Sequence, residues 1–478
     1  DRELVSLICT EAYKCLSELD QMVGGFPRTG DRFAGDPVPA HSRPRSVRYP
    51  PGMSFMLNTL VAKISTYPGA ILEHYRVVDL VTTNSGGITG ALLFNEDADK
   101  LMNVQARSTI LATGGCGYLF PITSNSTEIT GDGSAIALRA GCRLRDMEFI
   151  QFTPTAFAAP AAIRGRTISG SLLAVEGVVL LNTTGERFLT RYAPRTLERS
   201  NRAVVARSIF REIQAGRGTQ AGGVYMDLRS VSVDRINKLR PGLVEFCSEN
   251  GIDVRTEPVE TAPAVHTSLG GVAVDDQFRG AENLYVAGEA IGGTHGANRL
   301  SSNSLTEANV TGTFAARAAI ENLKNSPRLP QTGRTDYLVD HLPKRGSADT
   351  GDLIEKIRAL MNSSAGIERN EISMLKGLDQ LTELESVHRA CAQSGPDNLG
   401  RWLDMRNMIL TGRAILRSAL QRRESRGAHY RSDFPETDDA NGLGNIFTRY
   451  VPAAQSGTDI QVYRTTFVAF DRNQNQTK

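Results

Sequence analysis

An α/β fold with a helical bundle towards its carboxyl end is predicted for this chain of 478 residues. Three observations predict it. Short apolar runs, ILATGG from Ile110 and LYVAGE from Leu284, each stop at a glycine, as buried strands of an α/β sheet do before a turn. The run Thr267 to Leu305 is dense in glycine, and its end packs an Arg, two Asn and three Ser together. Glycine forfeits more backbone entropy than other residues, so such density points to close approach by something flat or phosphorylated, or to positive φ. From Asp352 to Arg426, apolar residues recur at i, i+3 and i+4, the period of helices with one buried stripe.

Taken in order, Asp1 to Phe26 places Leu4, Leu7, Ile8, Ala12, Cys15, Leu16 and Leu19 at helical spacing. Residues 27–53, rich in Pro, Gly and Arg, read as loop, and Met53 to Ala62 as helix. Strands are expected at Gly69 to Leu72, Val77 to Asn84 and Gly90 to Asn95, with Ser85-Gly86-Gly87 turning between the last two. Val104 to Ala112 reads as one more strand, closing on Thr113-Gly114-Gly115. Gly131 and Gly133, flanking Asp132, open a helix over Ser134 to Ala140 that Gly141 stops. Residues 147–263 mix strands and helices. Leu284 to Ala287 forms a buried strand with Glu289 just past its carboxyl end, where α/β folds hold the ribose or ring of a dinucleotide. A helix over Thr306 to Leu323, a linker over 324–350, the helical segment and a closing strand over Asp459 to Phe470 complete the chain. The polar end, Asn473 to Lys478, is expected to be disordered.

The charge balance, 54 basic against 52 acidic side chains, argues against a nucleic-acid partner, which needs a clustered basic excess. The basic runs His41 to Arg48 and Leu420 to Arg426 read, on composition, as solvated faces. No stretch approaches the roughly 20 uncharged apolar residues that span a bilayer. The six cysteines are scattered without a C-x-x-C pair, so reduced thiols in a cytoplasmic protein are expected and a metal site is not. The histidines show no metal-binding spacing.

The glycine-dense segments resemble the flavoprotein family of fumarate reductase, succinate dehydrogenase and L-aspartate oxidase. His266 with TSLGG, then AGE, then HGANRLSSNSL, is similar to the family's H-Y-T-M-G-G, A-G-E and H-G-A-N-R-L-G-x-N-S-L. ILATGGCGYLF from Ile110, TGDGSAIALRAG from Thr130, QFTPTA from Gln151, GERFLTRYAP from Gly185 and ESRGAHYRSDFP from Glu424 match in the same order, so the resemblance covers most of the chain. It implies an FAD-binding Rossmann-like domain in two parts, 1–146 and 266–325, with an α+β capping domain, 147–265, inserted between them. A linker (326–350), a helical domain (351–440) and a C-terminal extension (441–478) follow. Family members open with a strand and a G-x-G-x-x-G turn ahead of the first helix. That glycine-rich segment is absent from this chain, and the native gene product or a partner chain is expected to supply its pyrophosphate cradle.

The resemblance also assigns roles. Arg299 matches the substrate-carboxylate arginine, a residue type suited to the task because it is planar, charged and bidentate. Arg202 matches the arginine of R-D-V-V-x-R-A-I that moves the proton; as an acid it needs strong desolvation and a relay. The usual relay Asp is here Ala203. Glu176 in VEGVVLLN matches the relay glutamate of R-G-E-G, and reads equally as a turn glutamate. His266 matches a histidine that bonds a substrate carboxylate, and His295 is expected to orient its loop. Thr153 stands where F-H-P-T has histidine, which removes one charge-assisted contact, roughly 1 kcal/mol or more. Gly114, Gly115, Asp132 and Glu289 match contacts to the dinucleotide. Ser304 and Leu305 match backbone donors at a helix start, which favour a reduced, anionic flavin.

The implied activity is FAD-dependent hydride transfer between flavin N5 and a small dicarboxylate or related acid, with arginine-mediated proton transfer. Two alternatives stand beside it: L-aspartate oxidation to the imino acid, and a catalytically silent flavin-binding subunit, favoured by Thr153 and Ala203. An electron-transfer partner subunit is compatible with the family, and the chain is expected in the cytoplasm or peripherally at the inner membrane through that partner.

Overall fold

The computed structural model describes residues 1–36, 38, 41–325, 342–343, 346, 350–394, 398–452 and 458–466. Helix α1 (Arg2–Val23) starts on Asp1, whose carboxylate accepts from the N–H groups of Glu3 and Leu4, and it buries Leu4, Ile8, Cys15 and Leu19. Residues 27–53, expected as loop, hold two small ladders, Arg28–Thr29 with Arg32–Phe33 and Gly35–Asp36 with Ser46–Val47. Helix α2 (Met53–Ile64) leads to an antiparallel sheet of β1 (Tyr75–Thr82), β2 (Ile88–Asn95) and β3 (Lys100–Gln105). Strand β4 (Thr109–Leu111) and helix α3 (Asp132–Arg139) follow.

Two strand expectations are corrected. Gly69 to Leu72 is not a strand; Ile71 and Leu72 are exposed, and no strand pairs with them. The run from Val104 to Ala112 is two strands in different sheets. Val104 pairs with Ala91 in the antiparallel sheet, whereas Leu111 pairs with Val286, and residues 106–108 cross between them. A stretch that looks continuous by composition thus changes neighbours midway.

Beyond β5 (Leu144–Arg145), strand β6 (Ile150–Phe157), β7 (Val179–Leu181), helix α4 (Arg202–Glu212), β8 (Val224–Asp227), helices α5 (Val233–Leu239) and α6 (Leu243–Glu249), and β9 (Val259–Ser268) complete the middle of the chain. Its sheet runs β6-β9-β8-β7, all antiparallel. The chain then forms β10 (Gly271–Val272), β11 (Arg279–Ala281) and β12 (Leu284–Val286). Strand β12 lies parallel to β4 and antiparallel to β11. Helix α7 (Asn303–Asn325) and three further helices, α8 (Gly351–Ala365), α9 (Glu371–Ser394) and α10 (Leu399–Gln421), come next. A last hairpin, β13 (Gly444–Pro452) with β14 (Thr458–Thr466), returns to pair with β5. The closing strand is expected to reach Phe470; residues 467–470, the tail 473–478 and linker residues 326–341 lie outside the described residues.

One apolar core unites α1, β1, β2, α3 and β12 with α8, α9 and α10, through residues such as Leu4, Leu92, Ile136, Val286, Ile357, Leu381 and Ile415. A second core, from Phe157 to Val259, lies within the segment read as a capping domain. The site sits where the two meet.

Candidate active site

Arg202 is the first residue of α4, set there by Asn201, whose side chain accepts from the N–H of Val204. Its Nη2 donates to Ser301 Oγ at 3.0 Å, and its buried Nη1 has no partner among the described residues. Arg299 comes from the loop before α7 and is 5% exposed. Its Nη1 donates to the carbonyl of Leu300 at 3.1 Å, while its buried Nε is unpartnered. Gln151 holds that loop, donating from Nε2 to Asn298 Oδ1 and to the carbonyl of Arg299, at 2.8 and 2.9 Å. The two guanidiniums line one cavity of about 50 Å³, with Asn298, Ser301 and the buried Glu198 in its wall.

Burial first, and then the neighbouring charge of Arg299, lower Arg202 to about 10. Arg299 is lowered by burial too, with Glu289 and Glu307 opposing. His266 projects from β9 and is pushed down to about 3, first by burial and then by Arg299 and Arg202. Its ring is therefore neutral. Thr153 pairs with Ala264 across β6 and β9, two residues along β9 from His266, which is the unpaired residue at a register shift between the two strands. Among the described residues no carboxylate lies within ion-pair distance of Arg202, Arg299 or His266. Two largely buried cations with no carboxylate in direct contact are costly unless an anion arrives to pair with them.

Beside this cavity is a cradle suited to a dinucleotide. Gly114, at φ +73, and Gly115 follow β4, and Glu289 follows β12, so both lie at the carboxyl ends of adjacent parallel strands. A Cβ on Gly115 would come within 2.7 Å of Ser268 Oγ and would run into the Glu289 carboxylate. The buried Thr113 hydroxyl at this turn has no hydrogen-bond partner among the described residues. Glu289 accepts from the N–H of Ser268 at 2.9 Å, and burial pushes its carboxyl up to about 7. Ser304 and Leu305 stand in the first turn of α7, whose N–H groups have no partner within the helix. These glycines, the acid and the helix start are a set of groups that would fit an FAD.

Two expected residues are placed otherwise. Glu176 is an exposed turn residue beside Gly177, because Leu173 and Val175 take the inward positions. It lines a second cavity with Arg187, Arg195 and Glu198, whereas Arg202 lines the first. The Asp132 carboxylate is held by Thr130 Oγ1 at 2.7 Å and Asn407 Nδ2 at 2.8 Å, so it braces α10 against the loop that starts α3. His295 bonds Glu307 through Nε2 at 2.9 Å, which anchors its loop to α7, as expected. Sequence reasoning missed Gln151 Nε2, Glu198, Ser301 and Ser124, since a lone Gln, Glu or Ser carries no pattern. Two of them had a signal: Ser301 lies inside HGANRLSSNSL and Gln151 opens QFTPTA. Among the described residues no cluster of three or more His, Cys, Asp or Glu side chains is arranged for a metal, and no helix is long and apolar enough to cross a membrane. The six cysteines are unpaired thiols.

Comparison with known proteins gives the family. The model of an FAD binding domain matches residues 1–305, and that of the fumarate reductase flavoprotein C-terminal region matches residues 354–473. One subunit of the CoM/CoB fumarate reductase of Methanothermobacter marburgensis is 38% identical over 373 residues, 76% of this chain and 67% of that protein. An L-aspartate oxidase of Nostoc is 33% identical over 463 residues, covering 92% and 79%. The solved structure of Mycobacterium smegmatis Sdh1 with UQ1 superposes with a TM-score of 0.84 at 29% identity, covering 98% of this chain and 82% of that one. The chain belongs to the fumarate reductase and succinate dehydrogenase type of FAD-dependent flavoproteins, a family with L-aspartate oxidases among its relatives.

Proposed function

We propose that this flavoprotein interconverts the saturated and unsaturated forms of a small dicarboxylate, with Arg202 moving the proton and Arg299 and His266 holding the carboxylates. FAD supplies the two-electron exchange at its N5. The observation that carries the reading is a pair of largely buried guanidiniums beside a neutral imidazole, with no carboxylate in direct ion-pair contact among the described residues. A dianion completes that site; a neutral substrate leaves both cations unpaired. Burial also brings Arg202 to about 10, within reach of acid–base work that an exposed arginine cannot do. With Ala203 in place of the relay Asp and Glu176 turned outward, Glu198 is the carboxylate in the cavity wall and the better candidate to pass the proton on. Thr153 contributes a hydroxyl to the substrate pocket rather than a charge. Gly114, Gly115, Glu289, Ser304 and Leu305 receive the cofactor, and Asp132 holds the loop beside it.

L-aspartate oxidation is the second reading, favoured by Thr153, because a hydroxyl tolerates an amino-bearing substrate better than a histidine that must grip a carboxylate. Three relatives are themselves named as subunits, which supports an electron-transfer partner for this chain. Six unpaired thiols suit a reducing, cytoplasmic location, peripheral to the inner membrane when that partner is membrane-bound.

The test is anaerobic incubation of the FAD-loaded protein with succinate or with L-aspartate, following flavin absorbance. Bleaching by succinate, or reoxidation of reduced flavin by fumarate, is expected. Bleaching by L-aspartate alone selects the second reading, and no response to any of the three leaves a silent flavin-binding subunit. Arg202→Lys should abolish turnover with bound flavin intact; retained turnover removes Arg202 from its role.

A further inference from the structure

The loop Thr123–Asn125 grips the backbone on either side of His266. Thr123 forms a parallel bridge to Val265, and Asn125 Nδ2 donates to the carbonyl of His266 at 3.3 Å. Ser124 Oγ then lies 2.8 Å from His266 Nδ1. The direction of that bond follows from what surrounds it. The Val265 carbonyl already accepts the N–H of Ser124 at 2.9 Å and the Thr123 hydroxyl at 3.2 Å, which occupies its two lone pairs. The Ser124 hydroxyl is a third and more distant donor to it, at 3.3 Å. Its proton is therefore better placed on Nδ1. A neutral imidazole has one N–H, and an Nδ1 that accepts leaves that proton on Nε2.

Arg202 and Arg299 are the charged groups that act on this ring, and among the described residues neither is hydrogen-bonded to it. We propose that Ser124 is a positioning residue, whose hydroxyl fixes His266 as the Nε2–H tautomer and so makes it a neutral hydrogen-bond donor to an anionic substrate. The assignment of the substrate anion rests on the function proposed above; the tautomer does not. Burial and the two guanidiniums keep the ring neutral at ordinary pH, so its usefulness towards an anion depends on which nitrogen carries the proton.

The experiment is nitrogen NMR of the FAD-loaded protein labelled in histidine, with succinate affinity measured in parallel. Nε2–H is expected in the native protein between pH 5 and 8. Ser124→Ala should yield the other tautomer or a mixture and weaken succinate binding about tenfold, raising KM more than it lowers kcat. Ser124→Thr, which keeps the hydroxyl, should restore both. A native ring protonated on Nδ1, or a Ser124→Ala protein unchanged in tautomer and affinity, overturns the proposal. Should the native protein carry Nε2–H and yet bind no succinate, the dianion reading of the site fails while the tautomer assignment stands.

Discussion

Glu289 illustrates how one buried side chain links the site to the stability of the fold. Its carboxyl is pushed up to about 7 by burial, with Glu307 adding to the push while the N–H of Ser268 and the charge of Arg299 oppose. A carboxyl raised in the folded state contributes stability that is fully present below its unfolded value of about 4.3 and is lost as pH rises through about 7. Glu289→Gln keeps an oxygen for Ser268 and removes the titration. Its thermal midpoint relative to the native protein should therefore be higher at pH 8 than at pH 5, by a few degrees at most in a chain of this size. An equal offset at both values would show that Glu289 does not titrate in that window. At this scale the sequence was most legible where charge is rare and motif-bound: Arg202, Arg299 and His266, distant in the chain, come together. It was least legible where a residue acts through geometry alone. Glu176 has the right neighbours in sequence, but Leu173 and Val175 compete for the inward positions and turn it outward. Nothing in the sequence marks Ser124 as lying opposite a ring contributed from 142 residues away.

At the scale of elements, the glycine turn after β4 is where sequence and packing agree most closely. Gly115 has no room for a methyl group between Ser268 and Glu289, and both of those neighbours are fixed, one on β9 and one just after β12. Gly115→Ala should therefore displace the β4 turn rather than a flexible tip. We expect flavin occupancy to fall at least tenfold, measured as the flavin-to-protein absorbance ratio after purification, with helix content by circular dichroism unchanged. Full occupancy would mean that the turn does not approach the cofactor. Helices were read well because an apolar stripe over four or more turns is hard to mimic: α8, α9 and α10 all appear where the period places them. Short strands were not. Gly69 to Leu72 has strand-forming residues but no neighbour to pair with, and the run ending at Ala112 changes sheets without changing composition. A strand is defined by its partners, and partners are a property of the whole chain.

The whole molecule is held by arginines that composition alone assigns to a solvated surface. Arg422, from the basic run Leu420 to Arg426, is 3% exposed. It donates to Glu148 Oε1 at 2.6 Å, to Glu424 Oε1 at 3.0 Å and to the carbonyls of Gly442 and Gly444 at 3.0 Å. Arg369, also buried, donates to the carbonyl of Glu148 at 2.6 Å, and Arg431 pairs with Asp433 while donating to carbonyls at the end of α10. The latch ties the helical segment and the last hairpin to residues 146–148, the lead into β6 and hence to the sheet that carries Thr153 and His266. Removing Arg422 leaves Glu148 fully buried without the guanidinium that pairs with its carboxylate. Arg422→Met should thus cost about 3–5 kcal/mol, read as a loss of denaturation midpoint. Replacing both partners, Arg422→Met with Glu148→Gln, should recover much of that, because an uncharged pair of similar bulk carries no stranded charge. If the single and double variants lose the same stability, the pair is not coupled, and the helical segment is held to the sheet by its apolar core instead.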